Sequence, residues 1–280
     1  MKIISKNQIA VANYPYGKYS LEYTLDSLER MGGENVELYA CDPHFHIDDL
    51  TWPEIRAVKK KIRDHNLSVI CVTPEQCIYP VNIANKNIRA RERSIGVYVK
   101  CLEIASEMEC PLCQFLAGFG CLDESDEDIW KRSRESLGYL ADIADAYGVD
   151  IALETSPKSY TCLTNARQTV KMIEQVGSAR LYGMLDTAVL GYSNETVDEV
   201  IRVLGNKLRH VHFADGVPNG HYALGEGKLE LRSMLRAINE AGYQHALSLE
   251  IMNGMYVEDP ERAMRVSFEW LKNEIDRLDQ

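Results

Sequence analysis

The chain has 280 residues, with 42 acidic against 31 basic side chains, a formal charge of -11, and 45% hydrophobic against 26% charged residues. That apolar content excludes a disordered chain, and no run approaches the ~18 uninterrupted apolar residues of a membrane span. The acidic balance argues against nucleic acid, whose phosphates need clustered Lys and Arg, and eight cysteines behind an N-terminus without a secretory pattern predict a cytoplasmic protein with free thiols.

In chain order, β-rich runs fall at 9–12, 36–39, 68–72, 112–117, 150–154, 181–186, 209–214 and 245–251. Each is followed by a segment in which apolar residues recur three or four apart, the period of an amphipathic helix. The helical segments carry start and stop signals. Thr51 and Glu54 have the spacing of a capping box, Ser125 opens a stripe that stops at Gly148, and Asn165 opens one that stops at Gly177. Asp259-Pro260 starts the last helix, with proline where the first turn tolerates it. Gly32, Gly205 and Gly242 end three more. The strand-to-strand steps average about 34 residues, the length of a right-handed βαβ unit.

Eight such units use the whole chain, so the expected fold is α/β, a single (β/α)8 TIM barrel spanning residues 1–280. A dinucleotide-binding open sheet would need a glycine fingerprint after its first strand, and residues 13–17, Asn-Tyr-Pro-Tyr-Gly, do not supply one. The pair Cys110 and Cys113 closes a helix and enters a strand, so it reads as structural rather than as a redox or zinc motif.

A barrel of this class carries its chemistry at the C-terminal ends of its strands. The last four strands end in Glu154, Asp186, His212 and Glu250. Three carboxylates converging with an imidazole would repel one another without a cation between them. One divalent ion (Mn, Co, Mg or Zn) suits three oxygen ligands and one nitrogen. His210 and His212 face the same side of one strand; His212, nearer the end, is the expected ligand and His210 an interior support. The first four strands are poorer in ligands. They end in Glu37, in Thr73-Pro74-Glu75 and in 116–118, with His44 and His46 in the second loop and Tyr79 and Asn82 in the third. His44 and Tyr79 are candidates to orient a substrate across the mouth. The aromatic segment 14–19 either covers the substrate or meets another subunit.

At these motifs the sequence resembles the xylose-isomerase-like sugar phosphate isomerase and epimerase superfamily, in particular its ketose 3-epimerase branch and the fructoselysine 3-epimerase type within it. The likeness rests on the strand-end set Glu154, Asp186, His212, Glu250, on Thr73-Pro74-Glu75 with Tyr79-Pro80 and Asn82, on 210–215 (His-Val-His-Phe-Ala-Asp), and on His221-Tyr222. It continues through 225–228 (Gly-Glu-Gly-Lys) and Glu250 followed by Met255-Tyr256 and Pro260. The resemblance implies a metal-dependent isomerase that inverts C3 of a ketose or ketosamine of the fructoselysine/psicoselysine type through an enediolate. Glu154 and Glu250 would be the acid/base pair, His221 a substrate contact, and the partner a small sugar or ketosamine, in a homo-oligomer. Two positions depart from the tagatose and psicose type. Val189 stands where those enzymes have histidine, and 157–160 offer no glutamate to hold a free sugar. An aldose-ketose isomerase of the hydroxypyruvate or pentose kind, or a non-catalytic sugar-binding barrel, are the alternatives. An apurinic-site endonuclease would need histidines that Val189 and the third and fourth strand ends do not provide.

Overall fold

In a computed structural model, which describes residues 3–77 and 81–278, eight parallel strands close on one another in sequence order. They are β1 (Ile9–Ala12), β2 (Asn35–Ala40), β3 (Ser68–Pro74), β4 (Leu112–Phe115), β5 (Asp150–Leu153), β6 (Leu181–Asp186), β7 (Leu208–His212) and β8 (Leu247–Ser248). The expected single barrel is the fold observed. β8 pairs with β1 through Ile9 opposite Leu247 and Ala10 opposite Ser248, which closes the wall.

Helices alternate with these strands: α1 (Leu21–Arg30), α2 (Trp52–Asp64), α3 (Ile88–Glu107), α4 (Asp126–Tyr147), α5 (Ala166–Val176), α6 (Leu190–Ser193), α7 (Val197–Leu204), α8 (Leu231–Glu240) and α9 (Pro260–Arg277). Their boundaries follow the local signals. The Thr51/Glu54 capping box forms, Asn165 and Asp259 cap α5 and α9 through their side chains, and Gly148 and Gly177 turn left-handed at the ends of α4 and α5. Gly205 caps α7, while Gly32 and Gly242 lie one residue beyond the caps of α1 and α8. One unit differs from the simple alternation, because the short α6 and α7 both connect β6 to β7. None of the described helices is long and apolar enough to cross a membrane.

The period of two along each strand sorts residues into two faces. Leu38, Val72, Phe115, Leu153, Leu185, Val211 and Leu249 belong to the large core that also includes the helices. Cys71, Leu112, Ala152 and Met184 form a separate cluster, the packed plug inside the barrel. Two residues further along the same faces stand Thr73, Gln114, Glu154 and Asp186. A layer of apolar side chains therefore floors a layer of polar ones at the mouth. β7 and β8 continue it with His210/His212 and Ser248/Glu250. Cys110 and Cys113 are buried and unbridged. Burial pushes the Cys110 thiol up to about 12, so the CxxC pair packs rather than reacts.

Two loops at the mouth are tied by Asn82, which is buried. Its side chain donates to the Phe119 carbonyl and accepts from the Ala84 and Phe119 amides. It thus serves as a brace between loops rather than facing a substrate. Gly118 sits against this brace with φ +80, and an added Cβ would lie 2.6 Å from the Ala84 nitrogen and 2.9 Å from Asn82 Oδ1. Gly118→Ala should therefore cost about 1–3 kcal/mol of stability, read as the shift in a urea unfolding curve. A loss below ~0.5 kcal/mol, the scale of an inert surface change, would contradict the tight approach.

Candidate metal centre and active site

The C-terminal ends of β5 to β8 bring four side chains to one place. Glu154 follows β5, Asp186 ends β6, His212 ends β7 and Glu250 stands two residues past β8. Each offers one ligand atom, and these atoms lie within 4.8 Å of one another. Asp186, His212 and Glu250 are buried, and the Glu154 side chain retains 14% exposure. His212 Nδ1 is 2.9 Å from Glu250 Oε2 and 4.0 Å from Glu154 Oε1. Neither His212 Nδ1 nor Glu250 Oε2 has an aligned hydrogen bond, although both are buried. Closeness without alignment is what ligand atoms show around a cation, so the donor set fits a divalent ion. His221, from the loop after β7, joins them with Nε2 3.1 Å from Asp186 Oδ2 and 2.9 Å from Glu250 Oε2.

Beneath this cluster lies a carboxylate that is fully buried, Glu37 in the middle of β2. It accepts from Thr73 Oγ1 at 2.6 Å, Tyr14 Oη at 3.0 Å, His210 Nε2 at 2.9 Å and His212 Nε2 at 3.0 Å. Glu37, His210 and His212 are close enough to be a second ligand set. There, however, both carboxylate oxygens already take donors. His210 Nδ1 is unpaired there, but the only buried carboxylate oxygen without a donor among the described residues is Glu250 Oε2, on the Nδ1 side of the His212 ring, where Nδ1 is unpaired as well. A Glu37 that accepts from Nε2–H fixes the His212 tautomer and directs Nδ1 to the mouth, the arrangement by which carboxylates orient metal-binding histidines. His210 is the interior support expected of it.

Glu154 is held from its other side by a chain of amides. Gln114 Nε2 donates to Glu154 Oε2 at 2.6 Å, Gln76 Nε2 donates to Gln114 Oε1 at 2.6 Å, and Tyr98 Oη donates to Gln76 Oε1 at 2.5 Å. The loop carrying His221 is anchored by Asp215, whose buried carboxylate accepts from the backbone amides of Gly216, Gly225, Gly227 and Leu229. Gly227 is required here, since a Cβ would lie 2.3 Å from Asp215 Oδ1. Tyr256 Oη closes the loop by accepting from the Ala223 amide and donating to Glu226.

The electrostatics follow from this crowding. Burial, then Glu250 and Asp186, push the Glu154 carboxyl well above its usual range. Burial would also raise Glu250, but His212 and His221 outweigh it and hold that carboxyl low. Glu37 is likewise held well below its usual range, because His212 and His210 overcome the effect of burial. Against burial, Glu250 and Glu37 hold the His212 imidazole high, and Glu250 and Asp186 do the same for His221.

The first half of the barrel contributes differently from expectation. His44 is buried, with Nδ1 2.9 Å from Asn13 Nδ2 and Nε2 3.2 Å from Thr24 Oγ1 and 3.0 Å from the Tyr19 carbonyl. Both ring nitrogens are engaged in the wall, and neither is left for the substrate contact expected of it. His46 is partly exposed beside Asp49. Tyr79 lies outside the described residues. Of the aromatic segment, Tyr14 turns inward, stacks on Tyr39 at 4.6 Å and reaches Glu37, while Tyr16 is buried against Ser27. Glu37, Gln114 and Asp215 are the site residues that the strand-end reading did not assign.

The model of the xylose isomerase-like TIM barrel family matches residues 25–274. Fructoselysine 3-epimerase of Escherichia coli O157:H7 is 28% identical over 252 residues, 89% of this chain and 91% of that one. L-Ribulose 3-epimerase of Mesorhizobium japonicum is 30% identical over 85% of this chain and 78% of that one. The solved D-psicose 3-epimerase with D-tagatose from Clostridium cellulolyticum H10 shares the fold with a TM-score of 0.77 at 18% identity, over 97% of this chain and 99% of that one. The chain belongs to the xylose isomerase-like TIM barrel family.

Proposed function

We propose that this protein is a metal-dependent epimerase that inverts C3 of a ketose or ketosamine, with Glu154, Asp186, His212 and Glu250 as metal ligands and Glu154 and Glu250 also as the acid/base pair. Its relatives fructoselysine 3-epimerase and L-ribulose 3-epimerase place it among the isomerases. The observation that carries the metal reading is the unaligned pair His212 Nδ1 and Glu250 Oε2, buried in a mouth where Glu37, Asp215 and Gln114 are satisfied.

The hydrogen on the carbon next to a ketone is hard to remove at neutral pH, because the negative charge must reach the ketone oxygen. The chemistry supplied by a divalent cation in this site is Lewis-acid stabilisation of that charge as an enediolate develops on the substrate. The chain's own groups do the rest. Glu154 and Glu250 stand at the first and last of four successive strands, so a substrate between them meets one carboxylate on each face. One takes the proton from C3 and the other returns a proton to the opposite face. Gln114 donates to Glu154 Oε2 and keeps that carboxylate oriented. Glu37 holds the His212 ring, and His221 lies beside Asp186 and Glu250 within reach of a substrate hydroxyl. The plug beneath the site closes the barrel to water from below.

In heavy water, turnover should place deuterium at C3 while the ketone stays on its carbon. Glu154→Gln and Glu250→Gln should each lower this exchange by about 10²–10⁴-fold, the usual contribution of a positioned acid or base, with the metal still bound. Wild-type exchange in either variant would contradict the two-base scheme, and an aldose product would identify an aldose-ketose isomerase.

Without metal, protons must offset the crowded carboxylates, and this sets a pH dependence. Glu154, His212 and His221 are held above their ordinary values of 4.5, 6.5 and 6.5. Their contribution to stability is complete below those values and is lost as pH rises through the higher folded-state values. Glu37 and Glu250 are held low, so their contribution is complete above the ordinary value of 4.5 and is lost as pH falls from there through the lower folded-state values. The Tm of chelator-treated protein should therefore fall as pH rises above 6.5, and saturating Mn²⁺ should reverse the fall. A metal-free Tm independent of pH, or one insensitive to the ion, would contradict this account.

A further inference from the structure

A pocket of about 430 Å³ opens beside the carboxylate cluster where the first and last strands meet. It lies between the loop after β1, the loops after β2 and β3, and the segment after β8. Glu154, Asp186 and Glu250 do not line it, so its volume is additional to the space around those ligands. Two contacts join it to the site. Tyr14 forms one wall, donates to Glu37 and lies edge-on to His212 with ring centroids 6.3 Å apart. Met252 forms another, two residues past Glu250, and its amide donates to the His221 carbonyl at 3.1 Å.

The lining has an apolar middle and charges of both signs. The stacked rings of Tyr14 and Tyr39 face the pocket together with Met252 and Val257, which are 47% and 38% exposed. Lys18 and Asp42 are exposed at its edge, and neither forms an ion pair among the described residues. Glu75 adds a second carboxylate, fixed by the Tyr39 hydroxyl and the Cys77 amide. A bare ketose carries hydroxyls along its length and would set them against apolar walls that cannot hydrogen-bond. An alkyl arm suits the middle of this pocket, and a zwitterionic end suits charges of both signs.

We propose that this pocket receives the non-sugar arm of a ketosamine, an alkyl chain ending in an α-amino acid. Lys18 meets the carboxylate, Asp42 and Glu75 face the ammonium groups, and Met252 and Val257 cover the chain. The proposal rests on the epimerase reading above and adds to it what selects the substrate.

The test compares Nε-fructosyl-lysine with 1-amino-1-deoxyfructose, the same sugar without the arm, by deuterium incorporation at C3. The wild-type protein should show kcat/KM at least about tenfold higher for the armed substrate. Lys18→Glu and Met252→Asp should each lower the ratio of the two kcat/KM values by about fivefold or more. The Lys18→Glu effect should vanish when the substrate's carboxylate is converted to an amide. Equal wild-type kcat/KM for the two substrates, or a ratio unchanged within about twofold in both variants, would overturn the arm pocket while leaving the epimerase reading intact. No exchange with either substrate or with free ketoses would overturn both.

Discussion

Four carboxylates and three imidazoles share the mouth and upper interior of one small barrel, and the rest of the structure is arranged around keeping them there. Burying a carboxylate costs several kcal/mol unless it is paired. Two solutions stand one above the other. Glu37, below, takes four donors from Tyr14, Thr73, His210 and His212 and is complete as it stands. Glu154, Asp186 and Glu250, above, share His212 and His221 and remain short of positive charge. The His212 ring links the two, with one nitrogen on each side, so the order below dictates what is offered above.

The barrel makes this possible through its alternation. Cys71, Leu112, Ala152 and Met184 plug the interior, and the next inward residue on each of those strands is polar. Loops then complete the mouth. Asp215 gathers four amides and fixes the turn that presents His221, and Asn82 ties the loop after β3 to the loop after β4. The formal charge of -11 includes the three carboxylates of the mouth, and one divalent ion bound there would offset two of those charges.

The barrel was legible in the sequence because eight short apolar runs alternate with capped, amphipathic segments, and the caps at Thr51, Asn165 and Asp259 formed where the residues said they would. The Glu154, Asp186, His212 and Glu250 convergence was legible because each residue closes an apolar run. Glu37 was visible but had no assigned partner, since its neighbours in space, His210 and His212, lie about 175 positions away and no local pattern pairs them. Gln114 was hidden for a similar reason, because an amide inside a strand becomes a positioning group only when the barrel closes β4 against β5. His44 misled for the opposite reason. A histidine in a loop after a strand resembles a substrate contact, yet Asn13 and the first helix fold over it and use both nitrogens.

The central claim is that an ion sits on the Nδ1 side of His212, among Glu154, Asp186 and Glu250, and not on the Nε2 side with Glu37 and His210. X-ray absorption at the metal edge of protein loaded with one equivalent of Mn²⁺ separates the two sites directly. The account predicts a first shell dominated by oxygen with a single imidazole nitrogen. Because His221 Nε2 also borders the mouth site, a second imidazole nitrogen that persists in His221→Asn would place the ion beside Glu37 and contradict it.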